Sequence, residues 1–167
     1  VIRSLDLANH RHMVVAAGLL IGWFFGTRIS ELTSMRVCSI IFYDENGHIL
    51  DLMDSDLTKK AVELDVKFGK VKNDQAGIGT LRSHYMSGHE LCCVKSLATM
   101  IECRFASTKI LDPYSPLFLF FDKSLTSIKE HRLSRELISR TLKAGAARAN
   151  IPEARVSCHS LRSGAAV

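Results

Sequence analysis

Apolar and polar positions alternate along this chain in a way that sets out its elements before any chemistry is considered. From Met13 to Phe25 the residues are apolar, interrupted only by glycine. A run of this kind predicts a helix over 12–25 that is buried all round and ended by Gly26. Ile29, Leu32 and Met35 then recur at helical spacing, predicting a short second helix over 29–36. Ile40-Ile-Phe-Tyr43 is β-branched and aromatic, and Asp44-Glu-Asn46-Gly47 follows as a turn. Residues 49–53 are expected to return as the second strand of a hairpin. Val62-Glu-Leu-Asp-Val66 alternates strictly, the mark of a half-buried strand. A polar turn over 70–77 leads to a returning strand over 78–85.

Leu91, Val94, Leu97, Ala98 and Ile101 make one stripe of a helix over 89–105. Asp112-Pro-Tyr-Ser-Pro116 is a loop, and Leu117–Phe121 is apolar enough to be buried in any conformation. Ser127-Ile-Lys-Glu130 has the form of a capping box. It predicts a basic amphipathic helix to about Arg148, with Leu133, Leu137, Ile138 and Leu142 facing inward and Asn150-Ile-Pro152 closing it. A last helix begins near His159. The fold class expected is mainly α with a small antiparallel β-sheet insertion, as one domain over 1–167.

Composition is that of a globular chain: 47% hydrophobic and 23% charged over 167 residues. The longest apolar run is too short to span a bilayer, which needs about 20 residues, and it lacks a signal-peptide cleavage site. No membrane association is expected. Five cysteines (Cys38, Cys92, Cys93, Cys103, Cys158) have no regular spacing and read as reduced thiols of an intracellular protein, nuclear if the source is eukaryotic. The chain starts at Val1 and reads as a piece of something larger.

The net charge of +5 is unevenly placed. Residues 1–122 hold 13 basic and 14 acidic side chains, whereas 123–167 hold nine basic and three acidic. A segregated positive region favours a polyanionic partner. Lys70, Arg132, Arg135 and Arg140 are the candidate contacts for such a partner.

Four residues can serve one phosphate. A phosphodiester under attack gains negative charge on its non-bridging oxygens. Guanidinium groups meet two such oxygens with paired hydrogen bonds and keep their charge at any working pH. Set in place beforehand, they favour the transition state electrostatically. A lysine can protonate a departing sugar oxygen, and a histidine can accept a proton or hold an oxygen. Arg28, Lys72, His159 and Arg162 are the candidates for these roles. Glu31 supports Arg28 through a charge-assisted hydrogen bond. The set requires no metal and no cofactor. His84, His89, Cys92 and Cys93 lack zinc-site spacing, and no nucleotide phosphate loop or serine-hydrolase elbow occurs.

Gly26-Thr-Arg28-Ile-Ser-Glu31-Leu-Thr-Ser-Met-Arg36 resembles the first-arginine motif of tyrosine recombinases and phage integrases. Cys158-His159-Ser-Leu-Arg162-Ser-Gly resembles the His-x-x-Arg motif of that family. Lys70-Val-Lys72-Asn-Asp-Gln resembles its β-hairpin lysine, and Leu91-Cys-Cys-Val-Lys-Ser-Leu97 the helix that follows. The forms are most similar to recombinase-like domains of eukaryotic mobile elements such as Cryptons. The resemblance covers about His12 to Val167.

It implies the catalytic-domain fold of DNA breaking-rejoining enzymes, with double-stranded DNA as partner. It also implies strand cleavage and rejoining through a phosphotyrosyl intermediate, and assembly of the full-length protein as a homo-oligomer on DNA. The family's tyrosine follows the second arginine by a few tens of residues, and this chain has five after Arg162. Tyr43, Tyr85 and Tyr114 do not match the nucleophile motif. The chain reads as a C-terminally truncated domain that binds DNA and does not cut it. Two other readings stay open: a catalytically degenerate DNA-binding domain, and a helical interaction domain without a DNA role. Topoisomerase chemistry would use the same pocket.

Overall fold

The structure, a computed structural model, describes residues 1–69, 79–123 and 128–159. Among them it is a mixed α/β fold of five α-helices with two small antiparallel sheets. The chain divides into two compact units. One joins the two ends of the sequence, Val1–Ser34 and Phe118–Val167; the other is the segment between them, Met35–Leu117.

In the first unit, helix α1 (His10–Phe24) begins three residues before its apolar run and two before the expected start at residue 12. The Asn9 side chain accepts hydrogen bonds from the Arg11 and His12 amides, at 3.0 and 3.4 Å, and so caps the first turn. Nine consecutive residues, Val14–Gly22, are buried, which covers every side of the helix. α1 packs against α2 (Ile29–Ser34) and against strand β4 (Leu119–Lys123). A Cβ at Gly18 would lie 2.5 Å from Leu133 Cδ2, so glycine here permits close approach of the residues that cover α1.

The segment 117–121 is buried as expected where it is described, and from Leu119 it is a strand. Its partner is a correction. Residues 128–132 are strand β5 (Ile128–Arg132), not the start of the basic helix, with Leu119 opposite Arg132 and Phe120 opposite His131. The apolar β4 needs backbone partners, and pairing with β5 supplies them. The stacked rings of Phe120 and His131, 5.4 Å apart, add to it. Ser127 lies outside the described residues. Ser134 is the cap, its Oγ accepting from the Leu137 amide at 3.1 Å, and α5 runs Arg135–Arg148. α5 buries Ile138, Leu142, Gly145 and Ala146 and packs on α2. It ends at Asn150, which takes φ 54°, while the Ile151 amide donates to the Ala146 carbonyl.

The second unit holds a three-stranded antiparallel sheet in the order β1-β2-β3: β1 (Ile40–Tyr43), β2 (Glu63–Phe68) and β3 (Thr80–Tyr85). Ile40 stands opposite Val66, and Leu64 opposite His84. The turn after β1 forms as expected, with Gly47 at φ 77° and the Asp44 carboxylate accepting from the Asn46 and His48 amides. The expected strand over 49–53 reduces to one bridge, Ile49 to Tyr43, and one amide bond from Leu50 to Phe42. Asp51 and Asp54 explain why. Their carboxylates accept from the Met53 and Asp56 amides, which turns the chain away from β1.

β1 pairs instead with β2. Helices α3 (Leu57–Lys60) and α4 (Cys93–Thr108) pack together, and α4 meets β3. α4 starts at Cys93 rather than His89 and continues three residues past Phe105. Phe42, Leu57, Leu64, Val66, Leu97 and Ile101 form this core. Arg104, 4% exposed, donates from Nη1 to the Pro116 and Leu117 carbonyls and from Nη2 to Ser115 Oγ, fastening the 112–117 loop.

Candidate nucleic-acid interface

The candidate residues that the structure describes, Arg28, Glu31, Arg132, Arg135, Arg140 and His159, all belong to the first unit. Lys70, Lys72 and Arg162 lie outside the described residues.

Arg28 owes its position to the end of α1. Gly26 takes the left-handed conformation, φ 59°, which a side chain with Cβ disfavours. Its amide donates to the Trp23 carbonyl at 3.4 Å, and the Thr27 amide reaches back to the Gly22 carbonyl at 3.2 Å. This pair of bonds closes the helix and reverses the chain. Thr27 is buried, and its hydroxyl has no partner among the described residues. Arg28 follows at the head of α2. Glu31, one turn on, accepts from the Arg28 amide at 2.8 Å and from Arg28 Nη1 at 2.9 Å. One carboxylate oxygen thus caps the helix and the other holds the guanidinium. The Arg28 side chain remains 38% exposed and that of Glu31 20%. A guanidinium fixed at one nitrogen and open to solvent elsewhere can still donate to an anion.

His159 and Cys158 have helical backbone conformation, and the His159 amide donates to Ser157 Oγ at 3.2 Å. Cys158 Sγ donates to the Arg135 carbonyl at 3.6 Å, which sets this segment beside the head of α5.

The basic residues do not form the single helical stripe expected of them. Arg132 is exposed on β5, while Arg135 and Arg140 are exposed on α5. Arg140 pairs with Glu136 at 3.2 Å, with both side chains largely in solvent. A pair so exposed is weak and leaves the guanidinium available to other anions. Arg135, Glu136, Ser139, Arg140 and Lys143 line an open depression of about 510 Å³. Lys143 is not among the candidates that the sequence pattern offers. Its spacing of three from Arg140 and eight from Arg135, one helical face, is the signal that identifies it.

The three tyrosines lie in the second unit. Tyr43 donates to Asp65 at 3.1 Å; burial first, and the Asp65 carboxylate next, raise its pKa above the ordinary phenol value. Among the described residues no three His, Cys, Asp or Glu side chains are grouped to hold a metal ion, and no helix is long and apolar enough to cross a membrane. No protein-family model matches the chain, and no curated protein matches it either.

Proposed function

We propose that this chain is the phosphate-engaging part of a tyrosine-recombinase-like catalytic domain and that it binds double-stranded DNA. Arg28 and Arg162 hold the non-bridging oxygens of one phosphodiester, and His159 contributes a hydrogen bond or accepts a proton. Lys72 is the acid for the departing sugar oxygen. Strand cleavage belongs to a protein that also supplies a tyrosine nucleophile, and none of Tyr43, Tyr85 or Tyr114 is assigned that role.

The observation that carries this reading is the arrangement at Arg28. A glycine-closed helix end delivers an arginine whose partner carboxylate fixes its direction and leaves it open to solvent. A purely structural Arg–Glu pair gains nothing from exposure. The unit that contains it carries 12 basic and six acidic residues, a balance of +6, whereas Met35–Leu117 carries ten and 11. The cationic face of α5 adds phosphate contacts without base readout.

Fluorescence anisotropy of a labelled duplex, titrated at several salt concentrations, tests this. The slope of log K against log salt falls by about 0.9 for each phosphate contact removed. Replacing Arg135, Arg140 and Lys143 together by alanine is expected to lower the slope by about two to three. Arg28→Ala is expected to lower it by about one. Salt-independent binding, or no binding at low salt, overturns the proposal.

A further inference from the structure

Helix α1 leaves the core in an unusual way. Val14–Gly22 are enclosed, and then two consecutive aromatic residues, Trp23 and Phe24, emerge at 46% and 40% exposure. Apart from these two, Arg11 is the sole exposed residue of the helix. The next residue, Phe25, is buried again. A large side chain left half in water forgoes about 1–2 kcal/mol of burial, and a single such residue on a surface is ordinary. Two in succession, at the turn that presents a fixed arginine, are a feature of that turn. The turn is tight: the Thr27 amide lies 3.2 Å from the Gly22 carbonyl. Trp23 and Arg28 therefore flank one reversal of the chain, with α-carbons at most about 18 Å apart even if the linker were extended.

We propose that Trp23 and Phe24 form a stacking platform for an unpaired nucleobase next to the phosphate held by Arg28. This rests on the DNA-binding reading and adds a ligand class to it: DNA with a locally opened strand. Aromatic side chains stack on bases whatever the sequence, and a positive groove follows the backbone. The balance of +6 on this unit and the half-exposed Arg28 supply the complementary charge. In a closed duplex both faces of each base are already stacked on neighbours. The platform therefore favours single-stranded, gapped or frayed DNA over a fully paired duplex.

Trp23 is the chain's one tryptophan, so its emission reports on this position alone. Binding is followed by anisotropy of labelled DNA and, in parallel, by tryptophan emission. The probes are an oligothymidylate and a fully paired duplex of equal length. The expected result is strong quenching by the oligothymidylate and little by the duplex, with Trp23→Leu weakening oligothymidylate binding about tenfold and duplex binding hardly at all. Trp23→Phe is expected to retain most of the affinity, and circular dichroism verifies that the variants fold. The quenching arm uses unaltered protein and stands even if a variant does not fold.

Oligothymidylate binding with unchanged emission and no effect of Trp23→Leu overturns the platform while leaving the DNA reading in place. Absence of binding to either probe overturns both. A tryptophan emission shift that tracks self-association without DNA also overturns it, since the patch then covers a second copy of the chain.

Discussion

Replacing Glu31 separates two roles of one carboxylate. Oε2 accepts from the Arg28 amide at 2.8 Å and Oε1 from the guanidinium at 2.9 Å. A hydrogen bond from a partly buried amide to a charged acceptor contributes about 1.5 kcal/mol. The ion pair, with side chains 38% and 20% exposed, is screened by water and contributes about 0.5 kcal/mol. Glu31→Ala should therefore cost about 2 kcal/mol of folding stability at low salt, a fall of about 4–8 °C in Tm for a chain of this size. Arg28→Ala keeps the Glu31-to-amide bond and should cost only about 0.5 kcal/mol. Glu31→Gln keeps an acceptor oxygen for the amide and should fall between the two.

The assay is urea unfolding with linear extrapolation, at low salt and at 1 M NaCl. At 1 M salt the screening length is about 3 Å, so the ion-pair share fades and about 1.5 kcal/mol of the alanine effect persists. Two results refute the reasoning. One is an alanine effect that vanishes in high salt. The other is an Arg28→Ala variant as unstable as Glu31→Ala.

Two further predictions concern the second unit. Arg104→Met removes three donors from the Pro116 and Leu117 carbonyls and Ser115 Oγ in a buried setting. It should destabilise by about 2–4 kcal/mol and expose 112–117 to proteolysis; a melting curve like that of the unaltered protein contradicts the clasp. Burial pushes the Cys93 thiol up from 9.0 to about 12, so at pH 8 it is a neutral, enclosed thiol while Cys38 is exposed. A disulfide reagent at pH 8 should modify Cys38 readily and Cys93 only on unfolding. Cys93's contribution to stability should be complete below pH 9 and decline as pH rises toward 12. Rapid labelling of Cys93 in the folded chain counts against this.

Most of the helices and the β2–β3 pair were legible because local pattern and tertiary need agreed. The apolar run of α1, the alternation of 62–66 and the Asn46-Gly47 turn each specify one conformation. β5 was not legible. Ile128-Lys-Glu-His-Arg132 is polar, and only the demand of β4 for partners makes it a strand. Ser127 and Ser134 are both cap-forming residues, and packing at Leu133 and Ile138 selects the second. The return strand at 49–53 failed because two aspartates offered nearby amides a local acceptor.

The division into units shows in charge, +6 against −1, but nothing in the sequence marks its boundaries. The chain crosses between them at 34–35 and 117–118 without a linker, the Leu117 amide bonded to the Met35 carbonyl at 2.8 Å. At the candidate site, the spacing of three between Arg28 and Glu31 announced their pairing. The part of Glu31 as a cap for the Arg28 amide came from the backbone geometry at Gly26, which sequence spacing does not encode.

The discontinuous first unit has a consequence for biosynthesis. The most apolar helix of the chain is made first, yet Leu133, which closes over Gly18, is translated about 115 residues later. At 5–20 residues per second that delay is roughly 5–25 s. During it the nascent α1 has only α2 beside it and lacks the cover of β4 and Leu133, while Met35–Leu117 is contiguous and has its own core before the ribosome reaches β4. The middle of the protein is thus the segment able to fold during synthesis. The first unit must wait until Phe118 and the residues after it are made, with α1 a natural target for a holding chaperone until then.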